Sequence, residues 1–280
     1  MLDDIGAGWE AGWNALRLNF MALALLPPWV SVILAALLGA IFGSFIAALA
    51  VRWPKGETMG GRSHCDSCGQ ILSIYDLVPL WSYLWRKGRC GTCQARIDPF
   101  HFWVEVAAAA IGALALLIMP GPAGWVWALM GWMVLPLILL DARHFWLPDR
   151  LIFPFAVAGL LLAGPLTHSH FDERWIGALA GGLLLLAALL VYRAVRGVDG
   201  MGGGDPKLMA ALGAWLGWQA LPLALLIASV TGLIWALVAQ LFTSADIKRD
   251  QPLMQRPIPF GVFLGAGGWL AAALWPLIHV

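Results

Sequence analysis

Long apolar stretches recur along the whole chain, and they restrict it to the fold of a membrane protein. The 280 residues are 61% hydrophobic and only 12% charged, whereas about a quarter of the residues in a soluble domain are charged. A helix of about 20 apolar residues crosses the hydrocarbon core of a bilayer. We therefore predict an all-α polytopic membrane protein with about eight transmembrane helices. The predicted spans are residues 29–51, 102–119, 123–140, 150–166, 175–193, 207–220, 222–242 and 260–278. The sixth is short enough to be a half-buried helix.

The basic residues predict the orientation of these spans. Of the 17 Lys and Arg residues, 15 lie in four connections, within residues 52–96, 143–150, 193–207 and 248–256. Eight spans place these four connections on one side of the membrane, and the positive-inside rule makes that side cytoplasmic. Both termini then face outward, with residues 1–28 as a segment on the outer surface. The net charge of +1 provides no basic field for nucleic acid, so we expect no nucleic-acid partner.

The loop after the first span holds all four cysteines of the chain, in two C-x2-C pairs. Cys65 and Cys68 form one pair, and Cys90 and Cys93 form the other, with 21 residues between the pairs. Two such pairs provide four thiolates for a tetrahedral Zn²⁺ ion and leave no open position, so we predict a small cytoplasmic zinc-ribbon-like loop with a structural metal. Two disulfides and four unrelated buried thiols are the alternatives. A reducing cytoplasm disfavours the disulfides.

Two acidic residues at predicted membrane boundaries are the candidate catalytic pair. Asp141 ends the third predicted span, and Asp205 opens the sixth. An ionisable residue at the edge of a span is costly, so it marks a functional site. In the predicted topology both acids lie at the cytoplasmic boundary. Two carboxyl groups that meet can share a proton, so that one activates water and the other polarises the scissile carbonyl. This is the chemistry of an aspartyl protease.

The residues around Asp205 allow a second interpretation. Gly202, Gly203 and Gly204 precede it, and glycines let the backbone approach a substrate closely or adopt positive φ. Asp205 followed by Pro206 is also typical of a helix N-cap. A cap alone does not explain three consecutive glycines, so we favour the catalytic interpretation.

Two further acids receive structural predictions. Asp149 is predicted to cap the N-terminus of the fourth span. Glu105 lies inside the second predicted span, where we expect it to pair with Lys207 or with a lipid head group.

Taken together, these motifs resemble the type IV prepilin peptidase family. The segment from Gly202 to Asp205, followed by Lys207, is similar to the family's GxGD-x-K-L signature. Asp141 with the Leu-Pro-Asp that follows it is similar to the family's other aspartate motif. Further similar segments are Gly43-Ser44-Phe45, Arg62-Ser63, Tyr75-Asp76 and Pro257-Ile258-Pro259-Phe260-Gly261. The resemblance covers nearly the whole chain from about residue 38.

The resemblance implies a bifunctional enzyme of the bacterial inner membrane. Such an enzyme removes the basic leader of a type IV prepilin, or of a type II secretion pseudopilin, after a Gly. It then methylates the new N-terminus with S-adenosylmethionine. The implied organisation is a first helix at 29–51, a zinc-binding loop at 52–100 that belongs to the methyltransferase, and a peptidase domain at 101–280.

The resemblance also assigns residues. Asp141 and Asp205 are implied to be catalytic, and the four cysteines are implied to bind zinc. The implied backbone loop at the substrate consists of Gly202, Gly203, Gly204 and Lys207.

One departure from the family concerns methyl transfer. The family usually continues Gly-Ser-Phe with Leu-Asn-Val, whereas this chain has Ile46-Ala47-Ala48. An amide side chain both donates and accepts hydrogen bonds, so its absence predicts weaker methyl transfer.

Two other functions are alternatives to prepilin cleavage. One is a general intramembrane GxGD protease that acts on other substrates. The other is a zinc-ribbon membrane protein that scaffolds a secretion system without catalysis. The cysteine loop and the segment at 257–261 favour the prepilin type, and a scaffold would not need two acids at matched depth.

Overall fold

The computed structural model describes residues 26–65, 67–197, 201–242 and 258–278. Within these ranges the chain consists of α-helices, two short 3-10 helices at Trp53–Lys55 and Ile74–Leu77, and connecting turns without strands. The α-helices are α1 (Pro28–Arg52), α2 (Trp81–Trp85), α3 (Pro99–Ile118), α4 (Pro122–His144), α5 (Asp149–Leu162), α6 (Gly164–Thr167), α7 (Phe171–Arg196), α8 (Asp205–Leu216), α9 (Leu221–Phe242) and α10 (Phe260–Ile278). The predicted all-α class is confirmed.

A helix lies in each of the eight predicted spans. Among the described residues, α1, α3, α4, α7, α9 and α10 are long and apolar enough to cross a membrane. The predicted fourth span consists of α5 and α6, which are separated only by Ala163. The predicted sixth span is α8, whose 12 residues extend about 18 Å and cover little more than half of a hydrocarbon core of about 30 Å.

Some sequence predictions fall outside the described residues. These are the outer-surface segment up to residue 25, the basic residues Lys248, Arg249 and Arg256, and Pro257 of the segment at 257–261.

The chain forms two compact units. The first unit consists of Met1–Ala48 and Thr58–Trp132. Within it α1 packs on α3 through glycines. A Cβ atom on Gly43 would lie 2.7 Å from the Cα of Glu105, and one on Gly39 would meet the carbonyl oxygen of Ala108. Helices in lipid associate through such close backbone approach.

The second unit, Leu49–Glu57 with Met133–Val280, is a helical bundle built around α8. Ten of the twelve residues of α8 are buried, because α5, α7 and α10 pack against it. On the α7 side, a Cβ on Gly177 or Gly213 would meet the carbonyl oxygen of the other residue. On the α5 side, the ring of Trp215 stacks on Phe155 at 5.5 Å, and its Nε1 donates to the Phe155 carbonyl oxygen at 2.9 Å. Neighbouring helices thus hold this short helix in place, with Asp205 at its first position.

Candidate active site and metal centre

Asp141 is buried near the C-terminal end of α4, with only 5% of its surface exposed. Its Oδ2 accepts a hydrogen bond from the backbone N–H of Val262 at 3.0 Å. Val262 lies in the first turn of α10, where backbone N–H groups have no partner within the helix. Gly261 makes this contact possible, because a Cβ there would lie 2.8 Å from the same Oδ2. The N-terminus of α10 therefore fixes the Asp141 carboxylate.

Asp205 is the first residue of α8, and 3% of its surface is exposed. Its Oδ2 accepts a hydrogen bond from the backbone N–H of Gly202 at 3.1 Å. The N-cap of α8 is Gly204, and no side-chain cap bond is made there. The carboxylate therefore points back to the glycine segment, and the capping interpretation of Asp205 is wrong.

The two acids belong to one buried site. Burial and the charge of Asp141 raise the pKa of Asp205 to about 7, although the hydrogen bond from Gly202 acts in the opposite direction. Leu147 packs against both Gly204, which precedes Asp205, and Gly261, which contacts Asp141. A Cβ on Gly204 would lie 2.7 Å from the Leu147 Cβ, and a Cβ on Gly261 would lie 3.0 Å from the Leu147 Cδ1. This packing was not predicted from the sequence, and the only feature of the sequence that could have indicated it is the presence of glycine at positions 204 and 261.

The three glycines before Asp205 differ in their surroundings, and only Gly204 is closely packed. Gly202, Gly203 and Gly204 are not among the described glycines with positive φ, so a left-handed conformation does not explain their presence. Gly204 is required by the contact with Leu147. A Cβ on Gly203 would meet no atom within 4 Å, so the backbone at Gly203 is open to an approaching chain.

Lys207 and Asp149 form an exposed ion pair beside this segment. The Lys207 Nζ donates to both carboxylate oxygens of Asp149, at 2.7 and 2.9 Å. Asp149 is the first residue of α5, whose N-cap is Pro148, so the predicted cap at Asp149 is wrong. Exposed pairs of this kind contribute about 0–1 kcal/mol to stability.

Glu105 has other partners than those predicted. Its Oε2 accepts a hydrogen bond from the backbone N–H of Leu80 at 2.8 Å, and the Ser44 hydroxyl also bonds to this carboxylate. Leu80 has a φ of 61°, which is rare for a residue with a side chain. The buried Glu105 carboxylate on α3 thus holds the turn at Leu80 in the cysteine loop.

The four cysteines meet at one point and have the geometry of a zinc site. Their sulfur atoms all lie within 4.8 Å of one another, and the Sγ atoms of Cys65 and Cys93 are 3.8 Å apart. A tetrahedral ion with Zn–S bonds of about 2.3 Å requires sulfur atoms about 3.8 Å apart. All four are free cysteines in one cluster, an arrangement that fits neither two disulfides nor four scattered thiols. The donor set therefore fits a zinc ion.

The two cysteine pairs have matching backbone turns. The N–H groups of Gly69 and Gln94 donate to the carbonyl oxygens of Cys65 and Cys90, at 2.9 and 3.1 Å. Both turn residues have positive φ, 69° and 58°. The sequence did not predict a turn with positive φ at Gln94, because this conformation is usually adopted by glycine.

The second turn also prepares a thiolate. Backbone N–H groups of Cys93 and Thr92 lower the pKa of the Cys90 thiol to about 6. A zinc ligand must be deprotonated, and the four thiols differ in this respect. The backbone N–H of Gln70 lowers the pKa of the Cys68 thiol, but hydrogen bonding with Cys93 and burial together raise it to about 11.

Two family models match the chain. One, described as the Type IV leader peptidase family, matches residues 127–237, and one, described as the Bacterial Peptidase A24 N-terminal domain, matches residues 37–119. The chain is also similar to proteins named prepilin leader peptidase/N-methyltransferase. It is 36% identical to one from Burkholderia pseudomallei over 275 residues, which are 88% of this chain and 86% of the relative. It is 32% identical to one from Pseudomonas aeruginosa over 277 residues, 89% of this chain and 91% of the relative. The chain belongs to the type IV leader peptidase family.

The candidate sites of the chain lie within the matched regions. The model at 127–237 contains Asp141 and Asp205, and the model at 37–119 contains all four cysteines. The six helices that are long and apolar enough to cross a membrane among the described residues, together with the family, fit a protein of the bacterial inner membrane. No solved structure matches the chain.

Proposed function

We propose that this protein cleaves prepilins with Asp141 and Asp205 as its catalytic pair. The observation that carries the proposal is the buried site in which the charge of Asp141 and burial raise the pKa of Asp205 to about 7. Such a pair holds one proton at neutral pH and supplies an acid and a base together. The substrate follows from the name of the relatives and from the family motifs. It is the leader of a type IV prepilin or type II secretion pseudopilin, cut after a Gly.

From the geometry we infer a task for each acid. Below about pH 7 Asp205 is protonated, and the proton lies on Oδ1 because Oδ2 accepts from Gly202. Asp205 donates this proton to the oxygen of the scissile carbonyl. Asp141, held by the Val262 N–H, takes a proton from the water whose oxygen attacks the carbonyl carbon. The tetrahedral intermediate then collapses as the C–N bond breaks, and the pair returns a proton to the leaving amine.

We also propose that the four cysteines hold a structural Zn²⁺. The ion would cross-link the two turns that carry the cysteine pairs, as closed four-ligand sites do. We assign it no step in the cleavage reaction.

Methyl transfer to the new N-terminus is the second activity that we propose, with S-adenosylmethionine as the donor. It is supported by the name that the relatives share, and we assign no residue to the cofactor. Ala47 is 0% exposed, so an amide at that position would act inside the helix packing.

The proposal places both acids and the cysteine loop on the cytoplasmic side. It rests on the asymmetry of the basic residues and on the contact of Asp141 with Val262, which brings the first turn of α10 to the same site as the start of α8. This orientation leaves the basic leader inside while the apolar pilin helix lies in the bilayer. A thiol probe that does not cross the inner membrane should label Cys65 only after lysis and metal removal. Labelling in intact spheroplasts contradicts this orientation.

The direct test of function uses the full chain in lipid nanodiscs and a peptide that carries a prepilin leader. Mass spectrometry should show release of the leader, and addition of S-adenosylmethionine should add the mass of one methyl group to the mature peptide. Asp205→Asn should abolish release, whereas Asp149→Asn, which changes an exposed acid nearby, should retain it. Cleavage of an unrelated transmembrane peptide but not of the prepilin would favour the general protease, which the relatives do not favour.

A further inference from the structure

A hairpin in the cysteine loop exposes an apolar face that a water-soluble loop would bury. This hairpin, residues 73–86, consists of the 3-10 helix Ile74–Leu77, a turn at Leu80, and α2. Its base is closed by the ion pair of Arg86 with Asp76 and by the Ser73 hydroxyl, which donates to Asp76 Oδ2 at 2.7 Å. These contacts hold the hairpin in one conformation, so the same side chains remain exposed on its surface.

The exposed face of α2 is apolar and aromatic. Trp81, Leu84 and Trp85 are 62%, 61% and 75% exposed, and their spacing places them on one side of the helix. The rings of Trp81 and Trp85 stack at 5.8 Å. Exposed apolar patches on a protein mark contact with a partner or a membrane, and Trp is enriched at the membrane interface.

The contacts of the hairpin with α3 place this face at membrane depth. The 20 residues of α3 extend about 30 Å, so its Pro99 end lies near one boundary of the hydrocarbon core. The Leu80 N–H binds Glu105, which lies about 9 Å along α3 from Pro99 at 1.5 Å per residue. Tyr83 stacks on Phe102 at 4.9 Å, nearer to the boundary. The turn of the hairpin is thus its deepest part.

Glu105 explains how the turn of the hairpin can lie at membrane depth. A backbone N–H in the hydrocarbon core needs a partner, and non-helical backbone is tolerated there only where the protein supplies one. The Leu80 N–H has that partner in the Glu105 carboxylate.

Positive charge lies where the hairpin leaves this depth. Lys87, Arg89 and Arg96 line a cavity of about 540 Å³ together with Tyr83 and the start of α3. Basic residues beside an apolar interfacial segment attract the anionic head groups of phospholipids. The apolar face thus lies at the depth of the acyl chains, and the basic residues lie at the depth of the head groups.

We propose that the hairpin at 73–86 inserts into the leaflet in which α3 begins. Trp81, Leu84 and Trp85 contact acyl chains, and Lys87, Arg89 and Arg96 contact anionic head groups. The cysteine loop is thereby attached to the bilayer surface at a second point besides the ends of α1 and α3. This inference does not depend on the proposed catalytic pair.

A spin label reports the depth of this face. p-Acetylphenylalanine at Leu84 or Trp85 is coupled to a ketoxime nitroxide, which spares the cysteines, in nanodiscs that contain phosphatidylglycerol. Collisions with O₂ should exceed those with a water-soluble Ni²⁺ chelate, as at a lipid-facing control on α3, Leu114. The exposed loop residue Thr58 should show the opposite ratio. A water-like ratio at both hairpin positions overturns the proposal, as does a lipid-like ratio that appears only after a prepilin peptide is added.

A second measurement needs no variant. Phospholipids with a photoreactive group on the acyl chain are irradiated with the wild-type protein, and the tryptic peptides are identified by mass spectrometry. The peptide of residues 63–86 should carry label, as should the span-containing peptide of residues 97–143. Label on the second peptide without label on the first overturns the proposal.

Discussion

The cysteine loop and the bundle around α8 differ in what holds each of them together. Among the described residues between 56 and 98, only Gly88 and Cys90 are buried, whereas ten of the twelve residues of α8 are buried. The loop depends on matching turns, a few polar contacts and four clustered sulfur atoms. The bundle depends on glycines that let helices approach each other. A change that disrupts one region should therefore leave the other folded.

Metal removal has the largest expected effect and acts on the loop alone. Structural zinc contributes on the order of 10 kcal/mol of binding free energy, and the loop has almost no buried core to replace it. Chelation, or Cys65→Ser with Cys68→Ser, should expose the loop to trypsin at Arg62 and Arg89. Thermal unfolding of the bundle and cleavage of the leader should be retained.

The control for metal removal is Thr92→Ala, which changes a residue between two ligands without removing a sulfur. It should keep about one zinc per chain in elemental analysis, as a four-thiolate site requires. A protease-resistant loop in metal-free protein contradicts the comparison.

A glycine substitution tests the bundle in the same way. Gly213→Ala places a Cβ against the Gly177 carbonyl oxygen, and overpacking of this kind costs about 1–3 kcal/mol. Gly203→Ala is the matched control, since its Cβ would meet nothing within 4 Å; we expect a change below about 0.5 kcal/mol. Thermal unfolding in detergent measures both, and equal effects contradict the packing account.

The pH dependence of cleavage tests the bundle without altering its packing. Asp205 has a pKa of about 7, so it is protonated below that pH and ionised above it. The pair loses its acid as pH rises through about 7, and kcat/KM for the leader peptide should fall there. A rate that is flat or rising to about pH 9 contradicts the assignment of the proton.

The smallest effect is expected at the exposed pair of Lys207 and Asp149. Lys207→Gln removes one charge from a pair in which both side chains are solvent-exposed, so stability should change by at most about 1 kcal/mol. The pH dependence of cleavage should be unchanged. A large loss of cleavage without loss of stability would instead place Lys207 at the substrate.

The sequence predicted what depends on local pattern. Apolar stretches located all eight helical segments, and the C-x2-C spacing located the cysteine cluster. Both acids were found because a charge at the edge of an apolar stretch stands out.

Contacts between distant residues could not be predicted in this way. The Val262 N–H that holds Asp141 lies 121 positions away, and the packing of Leu147 on Gly204 and Gly261 depends on three separate segments. The same limit explains the errors at Asp149 and Glu105, whose partners are chosen by tertiary packing and not by helix position.

The central claim is that Asp141 and Asp205 act as one catalytic unit. The most direct test is kcat/KM for leader cleavage by Asp141→Asn, Asp205→Asn and the double variant, each with a wild-type melting profile. Residues that act as a unit are strongly non-additive, so each single variant should lose at least about 1,000-fold and the double variant should lose little more. A single variant with a rate near that of the wild type, or losses that multiply in the double variant, would contradict the account.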